Sequence, residues 1–426
     1  MNNIDLNDEQ KYALSVLKSG ANVFFTGNAG TGKTTVLTKF IDEYREEGKN
    51  VIVVAITGVA AININGATAH RTFRIPLGPV VDNPKNINKV LKDCDCLIIE
   101  EISLCRMDIF DYIMKQILSI NAKRKKSNEK GDIQIVVSGD FFQLPPVLTN
   151  SDRDILNEYY GFDIGNGYAF QSIYWNYYNF KSIALKTVIR QEDCYFSSNL
   201  DKVRIGNVGS LKNIYSKSNP NEIENAILLC STNKVVKEKN KKELEKIDSP
   251  LKIYDILIMG DVKDSDKVID DELSLKVGAR VMSMINDSNE RYVNGSLGTV
   301  LELTDDYVKV SFDNGSIVNI VPNTWEVCEY TLVVDKKTLE PKIDLKVIGS
   351  YTQIPLKLAY AITIHKSQGQ TYDSVNLNPY SWEYGQLYTA ISRAKNLDKL
   401  HFTTFPSQHY LKASYDVLKF YDELGI

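Results

Sequence analysis

Apolar positions along the first part of this chain alternate between two periods. Residues 23–25, 51–56, 95–100 and 133–138 are short runs apolar on both faces, the mark of buried strands. Between them the spacing turns helical. Residues 7–19 form one such stretch, with Asn7 and Gln10 at the separation of a capping box. Residues 33–44 place Val36, Leu37, Phe40, Ile41 and Tyr44 on one side, and a later segment does the same with Ile109, Phe110, Ile113, Met114, Ile117 and Leu118. Doubly apolar strands separated by helices predict a parallel sheet covered on both faces, with ligands at the carboxyl ends of its strands. Thr26, Thr57, Glu100 and Gly139 fall at such ends. Residues 73–92 hold Pro76, Pro79 and Pro84, so they read as an irregular or β-hairpin excursion. Residues 121–131, with Lys123-Arg124-Lys125-Lys126, read as a solvated polar loop.

A second alternating block begins near residue 185, with a strand at 226–230, a charged helix at 233–246 and a strand at 280–285. The acidic stretch 260–272 between them reads as a solvated insertion. The period then drops to two over 299–303, 307–312 and 316–321, and Asp313-Asn314-Gly315 supplies a hairpin turn, so 297–350 reads as an inserted β module. The α/β pattern returns at 356–364. It continues through a helix at 382–392 and a strand at 399–404 to a closing helix near 407–424.

Composition changes this picture little. The 426 residues are 43% hydrophobic and 24% charged, with net charge −4, so a general polyanion binder is excluded and any nucleic-acid contact is a local groove. No run approaches the ~20 apolar residues of a membrane span, and the N-terminus has neither a basic region nor an apolar signal core. An intracellular, cytoplasmic protein is expected, nuclear or mitochondrial only if eukaryotic. The six cysteines form no C-x-x-C pair, and Cys94 and Cys96, which enter an apolar strand, read as reduced core residues and not a zinc site.

The chemistry starts at Gly27-Asn28-Ala29-Gly30-Thr31-Gly32-Lys33-Thr34, followed by Thr35, which matches G-x-x-x-x-G-K-[ST] between a strand and a helix. Glycines let backbone N–H groups converge on polyphosphate at a helix N-terminus, Lys33 reaches the β- and γ-phosphates, and the Thr34 hydroxyl can ligate Mg²⁺. Glu100 and Glu101 end the third strand, where a P-loop ATPase needs one carboxylate for Mg²⁺ and one for the attacking water. The plainer reading is a strand running into an acidic turn. Gln143, after the fourth strand, can touch the γ-phosphate; its segment also reads as a turn stapled by Phe141, Phe142, Pro145 and Pro146.

Asn7 to Gln10, the P-loop, residues 98–103 and 139–147 together resemble motifs Q, I, II and III of the PIF-type helicases of superfamily 1B, related to Dda-like and RecD-like enzymes. Ile189-Arg190-Gln191 resembles motif IV, residues 359–371 motif V and 387–394 motif VI, in order over nearly the whole chain. The resemblance implies an α/β fold of two RecA-like parallel-sheet P-loop domains. The first, 1–186, carries a small wedge insertion at 73–92. The second, 187–296 and 351–426, carries a small SH3-like β-barrel insertion at 297–350. It implies an ATP-dependent helicase moving 5′-to-3′ on single-stranded DNA and unwinding forked or partial duplexes, R-loops or G-quadruplexes, with ATP and Mg²⁺ as cofactors and no membrane partner. A monomer from a bacterial or phage source is expected. Lys33 and Thr34 would bind phosphate and Mg²⁺, Glu101 would activate water, and Gln143 would sense the γ-phosphate. Arg190 and Arg393 would act as arginine fingers from the second domain. Gly369 would line the nucleotide site. Gln10 would read adenine, a role that competes with helix capping. Thr57, His70, Thr363, His365, Lys366 and Ser367 would hold DNA, and Phe73 would stack on it or else pack in its loop. Glu100 stands where the family usually has aspartate, which predicts an altered Mg²⁺ dependence.

Two rivals remain at this stage. A GTPase or nucleotide kinase is one, although Asn233-Lys234-Val235-Val236 lacks the aspartate of a guanine-reading Asn-Lys-x-Asp. A nucleic-acid-stimulated ATPase that remodels or switches without unwinding is the other.

Overall fold

A computed structural model describes residues 6–426 except 58–59, 62–63, 65, 77, 82, 85–86, 128–129, 189–192, 290 and 335–340. Contacts divide the chain into two compact units. Met1–Arg190 joins Cys328–Lys346 and Ser414–Ile426 in the first; Gln191–Val327 joins Val347–Ala413 in the second.

The first unit is built on β1 (Val23–Gly27), β2 (Val51–Ala55), β3 (Ala67–Thr68), β4 (Cys96–Glu100), β5 (Gln134–Ser138) and β6 (Lys181–Leu185), in the sheet order β3-β2-β4-β5-β1-β6. Every described pairing in it is parallel. Strands β1, β2, β4 and β5 are buried at every position, as their continuous apolar runs require. The helices Asp8–Leu17 and Lys33–Glu46 cover one face, where Val16, Leu17, Phe40 and Ile41 share a core with Phe25, Val53 and Ile98. The helix Met107–Ser127 takes in residues 121–127 of the expected 121–131 loop. Its basic run is not a solvated patch throughout, because Arg124 turns inward and donates to the Lys92, Cys94 and Gly131 carbonyls.

The excursion 73–92 contains no β-hairpin among its described residues. Phe73 ends the helix Ala69–Phe73 and is fully buried, and Val80 donates its N–H to the Asp108 carboxylate (2.8 Å). Arg106 pairs with Asp108 and donates to the Gly78 carbonyl (2.7 Å), which ties the excursion to the long helix.

In the second unit, strands Ala361–Thr363, Ile227–Cys230, Val375–Leu377 and Leu400–Phe402 form a parallel sheet in that order. The antiparallel part reaches beyond the expected 297–350 module. Its described five-stranded sheet also takes in Arg280–Ser283 and Leu356–Leu358. Arg280–Ser283 is buried at all four positions, the burial of a parallel strand, although it pairs antiparallel. The stretch 356–364, where the α/β pattern was expected to return, holds two strands. The chain leaves the antiparallel sheet at Ala359, whose N–H bonds the Arg280 carbonyl, and enters the parallel one at Tyr360, whose carbonyl accepts from Leu228. The 260–272 stretch is only partly solvated, since Val268 and Ile269 are buried and the Val268 N–H bonds the Tyr351 hydroxyl.

The closing helix, observed at Tyr415–Leu424, packs in the first unit and not with the second domain where the pattern placed it. Its Phe420 stacks on Phe170 with ring centroids 4.3 Å apart, and the Tyr421 hydroxyl meets Thr26 Oγ1 (2.7 Å) and the Phe141 N–H (3.3 Å).

Candidate functional site

β1 delivers the chain into the phosphate loop at Gly27. A Cβ there would lie 2.5 Å from the Leu185 carbonyl oxygen, so glycine is what lets β1 close on β6 before the turn. Gly30 and Gly32 adopt φ of 80° and 81°, left-handed values that L side chains resist. Gly32 caps the helix Lys33–Glu46 without a side-chain bond, and a helix start of this kind presents backbone N–H groups to an anion. The Thr31 hydroxyl donates to the Asn28 carbonyl (3.0 Å), while Lys33 Nζ folds back to the Gly27 and Asn28 carbonyls (2.9 and 3.1 Å). Ala29 is buried, Thr34 exposed and Thr35 half-buried.

Gln10 is engaged on both sides of its amide. Oε1 accepts from the Asn7 N–H (3.1 Å), completing the capping box, and Nε2 donates to the Thr31 carbonyl (3.3 Å). It therefore couples the first helix to the phosphate loop; reading a nucleobase requires exchanging one of these bonds.

Glu100 and Glu101 end β4, beside β5 in the sheet, and β5 lies beside β1. Glu100 is 7% exposed and accepts from the Glu101 N–H (2.9 Å). Burial and the adjacent Glu101 carboxylate push Glu100 up to about 7, against the opposing pull of the Glu101 N–H and the Lys33 ammonium. Glu101 sits at φ 52°, ψ 48°, a left-handed conformation that costs a non-glycine residue about 1–2 kcal/mol. It is the kind of strain held at working sites. Gly139 follows β5, where a Cβ would approach the Ile102 N–H nitrogen to 3.0 Å, so the two strand-end turns touch. Gln143 is 8% exposed in the turn closed by its N–H to the Asp140 carbonyl (3.0 Å). Lys33, Thr34, Glu100, Glu101 and Gln143 thus lie at the carboxyl ends of three adjacent strands or in the segments that follow them.

Among the described residues no cluster of three His, Cys, Asp or Glu side chains could hold a metal. Mg²⁺ at a phosphate site takes one or two protein oxygens and completes its shell with phosphate and water. The Thr34 hydroxyl and the Glu100 carboxylate fit that limited role, and the raised Glu100 is a buried carboxylate whose charge a cation would relieve.

Thr57 follows β2 and is exposed; His70 is half-buried in the helix after β3. Both therefore sit toward the sheet edge away from the phosphate loop. Phe73 is not available to stack on a base. Its ring belongs to the core, with its carbonyl held by Gln116 Nε2 (2.8 Å).

In the second unit, Thr363 ends its strand and its hydroxyl accepts from the Lys366 N–H (3.3 Å). Lys366 is exposed and His365 half-buried, whereas Ser367 is fully buried and bonds the Ile364 carbonyl (2.7 Å). Burial lowers the His365 pKa, which favours the neutral ring. Gly369 is exposed at φ 77°. Arg393 is 1% exposed, and its guanidinium donates to the Thr389, Ser367 and Gln370 carbonyls (2.9, 3.3 and 3.0 Å) and to Ser392 Oγ (2.7 Å). In this structure it braces the 367–370 loop from inside its own unit. Arg393→Ala is therefore expected to leave several buried acceptors unmatched and to lower the melting temperature by several degrees, at ~2–4 °C per kcal/mol for a domain of this size. Calorimetry reads this; an unchanged melting temperature would show that the guanidinium does not brace the loop. Arg190 lies outside the described residues.

Sequence reasoning missed two contributors. Tyr421 anchors the end of β1 and the turn after β5 from a remote helix, and its signal was the Phe420-Tyr421 pair on an amphipathic segment. The Glu9 carboxylate accepts from the Lys186 and Thr187 N–H groups (2.7 and 3.0 Å) just after β6, and nothing in local spacing announces that.

A phosphate loop, paired carboxylates and a glutamine ending neighbouring parallel strands, followed by a second α/β unit with its own β insertion, define a P-loop ATPase of the helicase class. A model of the PIF1-like helicase family matches residues 5–212, and one of the UvrD-like helicase C-terminal domain matches residues 358–397. The ATP-dependent DNA helicase Pif1 of Campylobacter jejuni is 30% identical, over 94% of this chain and 94% of its own. The PIF1 helicase of Danio rerio is 32% identical, over 98% of this chain and 64% of its own. Pif1 from Bacteroides sp in complex with ADP-AlF4 aligns with a TM-score of 0.83 at 33% identity, covering 99% of this chain and 98% of that one. Bacteroides Pif1 bound to ssDNA aligns with a TM-score of 0.69 at 34% identity, covering 99% and 97%. The chain belongs to the Pif1 family of ATP-dependent DNA helicases, and is an ATP-hydrolysing helicase.

Proposed function

We propose that this helicase tracks 5′-to-3′ along single-stranded DNA, acting as a monomer in the cytoplasm of a bacterial or phage-infected cell, and opens forked and partial duplexes, R-loops and G-quadruplexes, with Mg²⁺ as the cofactor of ATP. The observation that carries the reading is one sheet with nucleotide chemistry at its centre and Thr57 and His70 toward its edge. DNA as the partner is supported by Bacteroides Pif1 bound to ssDNA and by a Pif1 structure at forked dsDNA, where two coordinating helicases are described, so the latter bears on the forked substrate and not on the monomer.

The phosphate loop binds ATP, and Lys33 leaves its two loop carbonyls to neutralise the β- and γ-phosphates. Glu101 takes a proton from the attacking water, and Gln143 bonds the γ-phosphate or that water. Mg²⁺, when bound, offsets phosphate charge; Thr34 and, through water, Glu100 would hold it. Thr57, His70, Thr363, His365 and Lys366 grip the sugar-phosphate backbone without reading bases. Ser367, being buried, shapes the loop that presents Lys366.

Glu100 gives this reading a pH signature. Its proton is retained up to about 7, so the cation must displace a proton below that pH. The Mg²⁺ concentration for half-maximal ATPase is expected to rise by up to about tenfold between pH 7 and pH 6. Glu100→Asp is expected to shift that dependence, and a titration identical to the parent's would remove any special role for the longer side chain. Polarity is tested on duplexes with one single-stranded tail. Unwinding from 5′ tails is expected; unwinding only from 3′ tails contradicts the assignment.

A further inference from the structure

The helix Asn233–Glu245 and the strands Glu272–Leu275, Arg280–Ser283 and Leu356–Leu358 line a cavity of about 710 Å³ in the second unit. That volume lies in the range of small-ligand sites, roughly 300–1,000 Å³. Val236, Leu244, Leu273, Met282 and Ile362 give it aliphatic walls. Thr363 and Lys366, assigned above to the DNA backbone, form part of the same lining.

Lys357 also lines the cavity. It lies near Lys366, and neither ammonium makes a hydrogen bond or ion pair among the described residues. Burial and the neighbouring Lys366 lower the Lys357 pKa to about 8, with Asp270 pulling weakly the other way. The other charges on the lining are Lys237, Lys241 and Glu245 from the helix, Asp270 and Glu272 at the facing strand and Lys276 beyond it. Two neighbouring ammonium groups that bond no carboxylate, with Asp270 only a weak counter-charge, stand beside an apolar chamber and suit a ligand with a phosphate and a flat apolar body.

We propose that the cavity receives one unstacked base of the tracking single strand, with Lys357 and Lys366 clasping the phosphate next to it. The inference rests on the single-stranded DNA reading above and adds to its Lys366 contact a second lysine, Lys357, and a chamber that lie outside the motif carrying Lys366. A base has two apolar faces for the aliphatic walls, and its phosphate supplies an anion that both lysines can bond. The arrangement also explains why an amine is kept in a place that costs stability when empty. Binding a phosphate favours the charged amine, so DNA binding takes up a proton in the range where free Lys357 titrates.

The test uses the full chain and a short oligothymidylate read by fluorescence anisotropy. Lys357→Met is expected to bind about tenfold more weakly at pH 7, with a salt slope shallower by about 0.7. Its melting temperature stays equal or rises, because a half-buried amine beside a second ammonium has gone. Lys357→Arg keeps most of the affinity. The parent chain loses affinity between pH 7 and pH 9, and Lys357→Met does not follow. In a second arm, 2-aminopurine is moved position by position along the oligonucleotide, and one position is expected to brighten as its base leaves the stack. Unchanged DNA affinity and salt slope in Lys357→Met would overturn the proposal, as they would if the chamber served an acidic protein segment. Absence of a brightened position would overturn base insertion. If single-stranded DNA fails to stimulate the parent ATPase, the wider reading fails; if it stimulates and Lys357→Met matches the parent in affinity, only this inference fails.

Discussion

Lys33→Ala is expected to lower ATP turnover about 100- to 1,000-fold, the loss seen when one preorganised donor is removed from developing charge. The expectation follows from where the ammonium sits. Without nucleotide it lies within hydrogen-bond distance of the Gly27 and Asn28 carbonyls, so it waits inside the loop that would cradle the phosphates. Those carbonyls are partly solvent-accessible at Asn28, and their loss of a partner should cost stability only about 1 kcal/mol. Steady-state ATPase and a melting curve on the same preparation separate the two effects. Turnover above a tenth of the parent's would mean that another cation does the work assigned to Lys33.

Glu101→Gln is expected to reduce turnover about 100- to 10,000-fold while ATP still binds, because glutamine keeps the shape but cannot take a proton. The two adjacent carboxylates are separated by environment. Glu100 is buried and bonded to the next N–H, whereas Glu101 is half-buried on a left-handed turn. That backbone allows a control unavailable at most catalytic positions. Glu101→Gly should be as inactive as Glu101→Gln yet gain about 1–2 kcal/mol of stability from relieved strain, offset in part by chain entropy. Equal activity in Glu101→Gln and parent would move the general base elsewhere.

The nucleotide half of the site was legible in the sequence because its parts obey local rules. A glycine-rich turn between a doubly buried strand and an amphipathic helix has few other uses, and Glu100 and Gly139 announce themselves by ending apolar runs. Spacing served less well wherever a side chain's fate depends on a distant partner. Phe73 looks like an exposed aromatic in a proline-rich loop, but the long helix beneath it supplies a core and the Gln116 amide. Arg393 sits in a motif that implies a charge aimed at phosphate, yet three carbonyls and a hydroxyl from its own unit hold it inside. Arg280–Ser283 was misassigned because burial on both faces erases the alternation that marks an antiparallel strand. The last helix carries its apolar face openly, but only the fold shows that this face belongs to the first unit.

The central claim is that ATP turnover at this phosphate loop is coupled to a single strand of DNA. The direct measurement is the steady-state ATPase rate of the full chain with and without a single-stranded oligonucleotide, with Lys33→Ala as the blank. The account predicts strong stimulation by DNA that the blank lacks. A rate unchanged by single-stranded DNA would contradict it.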